Sequence, residues 1–262
     1  MQETVEHPPS LIVVPARAES AEELEPLLQT LVSVTTTAPG TMVLVVDDRS
    51  PAAQAQLIEA AASELDCAYV LQQDGEGTSA AFNVGLSVAL EHGLDVCFAA
   101  SGLIFESAGW LDRLRARTGS DGALAALVGG AVIESAGVIR HAGYFFSRFR
   151  RAWRARLGNV PEVVLDVADA LLCPVGSEVQ FVRRDWIEKV GHYDELLDGP
   201  HAALDYSIRV AEAGGQCVFE PTVRARALES ASGEPDERSR DEQRLRLKHS
   251  AVNFYRWTPE VI

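Results

Sequence analysis

One stretch constrains this chain more than any other. In Thr41-Met42-Val43-Leu44-Val45-Val46-Asp47-Asp48-Arg49-Ser50 an apolar run stops abruptly at two carboxylates. The segment from Thr41 to Val46, rich in β-branched residues and bounded by Gly40 and Pro51, reads as a buried strand. In an open α/β sheet, ligands bind beyond the carboxyl ends of the strands, which is where Asp47 and Asp48 fall. Leu11-Ile12-Val13-Val14-Pro15-Ala16-Arg17 repeats the pattern with a terminal arginine. A third such run, Asp95-Val96-Cys97-Phe98-Ala99-Ala100-Ser101-Gly102, ends without any carboxylate.

Between these runs lie helical patterns. Ser20-Ala21-Glu22-Glu23 has the form of a capping box, and Leu24, Leu27, Leu28 and Leu31 recur at helical spacing after it. Further helices are expected from about Ala52 to Leu65 and from about Ser79 to His92, the latter closed by Gly93. Another opens at Gly109-Trp110-Leu111. A short strand, Ala68–Leu71, completes the first half. Strand and helix alternate, which implies βαβ units and a mainly parallel sheet.

The second half is mixed. Strands are expected within Ala123–Glu134, Val163–Leu172, Val179–Arg183 and Cys217–Arg226. Helices are expected over Arg184–Val190 and Ala203–Ala213, and a charged one from about Glu237 to Arg256 beyond a polar break at Gly233–Asp236. The division that follows is an α/β domain over residues 1–232 and a C-terminal helical extension over 233–262.

Composition excludes several classes. No apolar run is long enough to span a bilayer, and no signal-peptide pattern opens the chain. A net charge of −15 argues against nucleic-acid binding. Cys67, Cys97, Cys173 and Cys217 lack paired spacing and read as reduced core residues, placing the protein in the cytoplasm.

The order of motifs resembles the inverting glycosyltransferases of family 2. It runs from Pro15-Ala16-Arg17 and Val46-Asp47-Asp48-Arg49-Ser50 through Gly77, Asn83-Val84-Gly85 and Gly109-Trp110-Leu111. Ile139-Arg140-His141-Ala142-Gly143-Tyr144, Cys173-Pro174-Val175, Gln180–Arg184, Val190–Glu195, Leu204–Val210 and Cys217–Pro221 continue it, over roughly residues 10 to 232. The resemblance implies a GT-A fold, a Rossmann-like sheet flanked by helices that binds a nucleotide-sugar. It assigns Asp47 and Asp48 to the nucleotide base, Pro15, Ala16 and Arg17 to the wall around base and ribose, and Gly77 and Asn83 to the loop and helix beneath. Read without a ligand, Asp47 or Asp48 caps the helix after it, Arg17 is a surface residue, and the glycines and Asn83 serve a turn and ordinary packing.

Three departures from the family pattern stand out. The family's acidic Asp-X-Asp motif, which holds a divalent cation against the diphosphate, is replaced by Ser101-Gly102-Leu103. Its Glu-Asp-X-Asp motif, whose middle carboxylate is generally the base, is reduced to His201-Ala202-Ala203-Leu204-Asp205. Its histidine after Glu220-Pro221 is replaced in a segment reading Ala227-Leu228-Glu229-Ser230. The cation that the family expects therefore has no ligands here, and no metal or other cofactor is assigned. Asp205 is expected to open and cap a helix, and His201 to sit exposed in a Gly199-Pro200 turn, each with a weaker reading as a substitute catalytic group. Glu178 stands where the family has small residues and would crowd an anionic donor.

Arg148, Arg150, Arg151, Arg154 and Arg156 place five arginines within nine residues of an acidic protein. With Phe149 and Trp153 between them, they read as a diphosphate clamp with stacking aromatics, or as a solvated loop or docking surface for an acidic partner. Phe254, Tyr255 and Trp257 are expected to pack onto the domain. The expectation is a glycosyltransferase-like protein without ordinary catalysis, acting as partner subunit, scaffold or sugar-binding module. The alternative is an active metal-independent transferase moving a sugar from a nucleotide-sugar to an acceptor hydroxyl. A protein partner, an active relative or an oligomer belongs with the first.

Overall fold

The computed structural model describes residues 9–118, 125–228 and 240–258. The first half alternates as the hydrophobic pattern requires: β1 (Ser10–Ala16), α1 (Leu24–Thr37), β2 (Met42–Asp47), α2 (Ala52–Glu64), β3 (Ala68–Leu71), α3 (Thr78–His92) and β4 (Asp95–Ala99). A short β5 (Leu103–Ile104) and α4 (Trp110–Ala116) follow. Then come β6 (Ala125–Ile133), β7 (Ile139–His141), β8 (Tyr144–Ser147) and β9 (Ala152–Ala155). The chain continues with β10 (Leu171–Leu172), β11 (Val179–Val182), α5 (Arg184–Val190), α6 (Gly199–Glu212), β12 (Gln216–Ala227) and α7 (Arg240–Lys248).

Ten strands form one sheet, ordered β10-β12-β6-β11-β4-β1-β2-β3, with β5 and β7 pairing β12 and β6 off this path. β3, β2, β1 and β4 are parallel neighbours, and so are β6 and β12. β11 runs antiparallel between β4 and β6. Thus the mainly parallel half of the sheet continues into a mixed half. β8 and β9 form a separate two-stranded hairpin.

The central strands are buried on both faces, which is why they read as unbroken apolar runs. Along β1, Leu11 and Val13 face one core with β4's Phe98, α3's Phe82 and Leu86, α5's Ile187 and α6's Leu204. Ile12 and Val14 face the other, with Leu27 and Leu31 of α1, Ile58 of α2 and Trp110 of α4. α3 lies close on β1 because Gly85 has no side chain: a Cβ there would stand 2.6 Å from Val13 Cγ2. Gly93 ends α3 in the left-handed region, as the cap position demands.

Four expected elements differ. Ser20 does not cap α1; the helix begins after Glu23, whose carboxylate accepts a hydrogen bond from the Glu19 amide at 2.8 Å. Val163–Leu172 is not one strand but a 3-10 helix, Glu162–Val167, followed by β10. Its valines mimic a strand composition, yet Val163 and Val167 are exposed. α6 begins four residues earlier than expected, at Gly199, with Pro200 in its first turn and Asp198 as its cap. The Gly233–Asp236 break and the first residues of the expected C-terminal helix lie outside the described residues; that helix stops at Lys248 rather than about Arg256, and a separate 3-10 helix covers Phe254–Trp257.

The C-terminal segment packs on the domain. Leu245 of α7 enters the same core as α3 and α6, and a 3-10 helix, Phe254–Trp257, brings its aromatics against the hairpin. Phe254 meets Phe146 and Trp153 at ring-centre distances of 5.4 Å. No described helix is long and apolar enough to cross a membrane.

Candidate functional site

The parallel register brings the ends of β1 and β2 side by side, pairing Ala16 with Asp47. The Asp48 amide then donates to Ala16 O at 2.7 Å, so Arg17 and Asp48 emerge together at the carboxyl edge. Pro15 is half-buried and Ala16 buried, while Arg17 is exposed. Asp47 is fully buried: its Oδ1 accepts from the Ser50 amide and its Oδ2 from the Tyr69 hydroxyl, each at 2.9 Å. Both oxygens therefore already serve the turn into α2 and its neighbour β3.

Asp48 faces the edge instead. Its Oδ2 accepts from the Gly77 amide at 2.9 Å and lies 3.7 Å from Arg17 Nη1. Gly77 has φ of 88°, a backbone geometry that a side chain would strain, and this turns its N–H toward Asp48 just before α3. Arg17 also stands 3.6 Å from Glu76 Oε1, so Arg17, Asp48, Glu76 and Gly77 form one polar cluster. Asn83 works elsewhere. Its amide accepts from the Tyr193 N–H at 2.7 Å and donates to Tyr193 O and Glu195, clamping α3 to the segment before α6.

Beyond β4 a cavity of about 380 Å³ is bordered by Arg17, Ala100, Ser101, Gly102, Arg140 and Glu178. Arg140 Nε donates to Glu134 at 2.6 Å and its Nη1 lies 3.6 Å from Glu178. Glu178 also pairs with the buried His141. Burial alone would raise the Glu178 carboxyl, but His141 and then Arg140 hold it below its ordinary value. The residues here do not suit a divalent cation. Ala100, Ser101, Gly102 and Leu103 offer no carboxylate, the Glu23 carboxylate accepts from the Glu19 amide, and Glu178 is taken up by Arg140 and His141. Among the described residues no group of three or more His, Cys, Asp and Glu side chains is arranged to hold a metal ion.

His201 and Asp205 do not border this cavity. Contrary to the expected cap, Asp205 lies in the middle of α6, because Asp198 Oδ1 accepts from the Gly199 amide and starts the helix earlier. Asp205 is wholly buried, with Arg209 Nε and His249 Nε2 at 2.8 Å and Lys248 Nζ at 2.9 Å. Burial alone would raise its carboxyl, but the His249 hydrogen bond and the Arg209 and Lys248 charges override that and hold it down at about 2. His201 is buried rather than exposed, its Nε2 3.4 Å from Glu242 Oε2 on α7. The C-terminal helix thus covers both residues. His249 and Glu242 were not singled out from the sequence, since nothing local ties them to α6.

The arginine segment is the β8–β9 hairpin. Arg148, Phe149, Arg150 and Arg151 form its exposed tip, while Arg154 is half-buried on β9. Trp153 is not available for stacking on a ligand: it is 1% exposed and surrounded by Phe146, Phe254 and Trp257.

Residues 11–94 match the glycosyl transferase family 2 model. No curated protein sequence matches the chain. Among solved structures, GalNAc-T7 with UDP, GalNAc and Mn2+ superimposes with a TM-score of 0.67 at 17% identity, covering 92% of this chain and 48% of that one. The mannosyltransferase PcManGT from Pyrobaculum calidifontis, in complex with GDP-Man and Mn2+, gives 0.55 at 18% identity over 87% of this chain and 59% of its own. S. aureus TarS 1-349 gives 0.51 at 16% identity over 85% of this chain and 59% of its own. The chain therefore spans about half to three-fifths of the length of these structures. Residues 11–94 thus carry a match to the glycosyl transferase family 2 model, and the described chain has the GT-A fold of the glycosyltransferases on which it superimposes.

Proposed function

We propose that this protein is a glycosyltransferase-like domain that keeps a nucleotide-sugar-type cleft and has lost the transfer machinery, working as a binding module or partner subunit. The observation that carries this reading is the segment after β4, where Ser101, Gly102 and Leu103 stand in place of carboxylates and border the cavity. A departing nucleoside diphosphate develops charge that a hard, oxygen-ligated cation ordinarily neutralises. The state of Asp205 supports the same reading. A general base works best with a pKa near the operating pH, and a carboxyl held at about 2 by the His249 hydrogen bond and the Arg209 and Lys248 charges is a poor proton acceptor. Its burial beneath α7 removes it further from an acceptor hydroxyl.

The ligand class follows from the structural relatives, which were solved with UDP and GalNAc or with GDP-Man. Arg17, Asp48 and Gly77 are the groups at the strand edge for such a nucleotide. Four buried, unbridged cysteines fit a reducing compartment such as the cytoplasm. A second reading, metal-independent transfer, draws on Arg17 and Arg140, whose guanidinium groups border the cavity and can fork onto phosphate oxygens. Each already answers a carboxylate, which weighs against it.

The test is a thermal-shift panel of UDP-, dTDP- and GDP-sugars with and without Mn2+, followed by turnover assays. A ligand at 100 times its dissociation constant stabilises the fold by about 2.7 kcal/mol. Stabilisation that ignores Mn2+, without sugar release, is the expected result. Metal-free turnover would establish the second reading. Stabilisation that requires Mn2+ would overturn both.

A further inference from the structure

The β8–β9 tip is anomalous in this protein. Asp and Glu outnumber Lys and Arg by 38 to 23, yet among the described residues Arg148, Arg150 and Arg151 have no ion-pair partner. Phe149, between them, is 102% exposed. Arg148 lies 5.8 Å over the Tyr255 ring, and Arg150 and Arg151 stand beside Phe149, free of ion pairs among the described residues. An exposed aromatic ring collared by guanidinium groups has the composition of an interface anchor, since aromatic residues and arginine dominate interface hot spots.

The same surface carries its complement. An open cleft of about 710 Å³ lies between α3 and residues 192–196, with Val84, Val88 and the exposed Leu196 on its apolar side and Asp74, Glu91 and Glu195 on its acidic side. Tip and cleft flank one helix. Arg246 of α7 donates to Arg151 O at 2.6 Å, while Arg244 donates to Leu196 O and Lys248 reaches Asp194, also at 2.6 Å each. Phe149 is in contact with water, so it does not occupy the cleft of its own chain.

We propose that the partner is a second copy of this chain, with Phe149 of each copy entering the α3 cleft of the other. The arginines then meet Asp74, Glu91 and Glu195, and both copies use the same patch, as a two-fold dimer requires. Charge complementarity selects this occupant. An anionic membrane or nucleic acid bound at the tip would leave the acidic, apolar cleft beyond α7 without a partner.

Sedimentation velocity of the full chain over a concentration series, at low and high salt, tests the proposal. A dimer that weakens as salt rises is expected. Phe149→Ala and Arg150→Glu should each weaken it about tenfold or more while leaving the melting temperature of the dilute, monomeric chain unchanged, because both side chains lie at the surface. Combining Arg150→Glu with Glu91→Arg should restore much of the loss. A monomer at every concentration would overturn the proposal, and so would a dimer that neither substitution moves. Binding to phosphatidylserine vesicles by a chain that stays monomeric, lost with Phe149→Ala, would assign the tip to lipid instead.

Discussion

His249 Nε2 lies 2.8 Å from Asp205 Oδ1, joining the middle of α6 to the residue that follows α7. The carboxylate is fully buried and Arg209 and Lys248 complete its shell, so the C-terminal segment is fastened to the domain by charge as well as by Leu245. Breaking such a site from one side leaves the buried His249 and the half-buried Arg209 without their partner. Asp205→Asn is therefore expected to cost about 3–5 kcal/mol near neutral pH.

The same carboxylate gives the pH dependence a definite sign. Its folded pKa, about 2, is depressed, so its contribution is present above the unfolded value of about 3.9 and disappears as pH falls through the folded one. The contribution at stake is about 2 kcal/mol. Urea unfolding of the wild type and Asp205→Asn should show their stability gap narrowing between about pH 4 and pH 2. A gap constant through that window would mean that the Asp205 carboxylate is not held by these cations in the folded state.

Trp153 and Phe149, four positions apart on one hairpin, should respond oppositely. Trp153→Ala empties the centre of an aromatic group with Phe146, Phe254 and Trp257 and is expected to cost about 3–5 kcal/mol. Phe149→Ala in the monomer should stay within about 0.5 kcal/mol of wild type. Denaturant melts at low protein concentration measure both, and equal effects would contradict the placement of the two rings.

That contrast also shows what the sequence can and cannot reveal. β1, β2 and β4 are legible because a parallel strand buried on both faces must be apolar throughout, and because Gly93 marks the end of α3 by a local rule. The absence of carboxylates at Ser101-Gly102-Leu103 is equally plain in the letters. Trp153 is not legible, since its arginine neighbours suggest a solvated loop and its packing partners Phe254 and Trp257 come from the far end of the chain. Asp205 is misplaced for the same reason: His249 lies 44 residues away, and Asp198, an ordinary turn residue by composition, captures the cap. Site assignments that depend on strand ends could be drawn from pattern; those that depend on the C-terminal helix needed the tertiary structure.

Gly85 provides a test of how tightly α3 is held. A methyl group there would meet Val13 Cγ2 at 2.6 Å and Cγ1 at 2.7 Å in a fully buried contact. Gly85→Ala should push α3 off β1, costing about 1–3 kcal/mol, despite alanine's better helix propensity. Because Gly77 leads into α3 and donates to Asp48, nucleotide-induced thermal shifts should shrink along with stability. A stabilised variant would show that α3 has slack against the sheet.

The cation site should resist restoration. Ser101 is exposed, so Ser101→Asp is expected to change stability by no more than about 0.5 kcal/mol. Leu103 is different: it borders the cavity but is 2% exposed, packs in the core with Ile12, Val14 and Trp110, and pairs through β5 with β12. Leu103→Asp would set a carboxylate among apolar side chains, costing more than about 3 kcal/mol. The double substitution, which writes an Asp-X-Asp pattern back into the chain, should therefore lower the melting temperature without creating Mn2+-dependent stabilisation by UDP- or GDP-sugars. Ser101→Asp alone should stay folded and remain indifferent to Mn2+, because a single new carboxylate beside a paired Glu178 is too few ligands. Thermal shifts across a Mn2+ titration decide the matter. A well-folded double variant that binds the metal would mean that a carboxylate at position 103 can reach the cavity that Leu103 borders, and that the cation site was lost through side chains alone rather than through the packing beneath them.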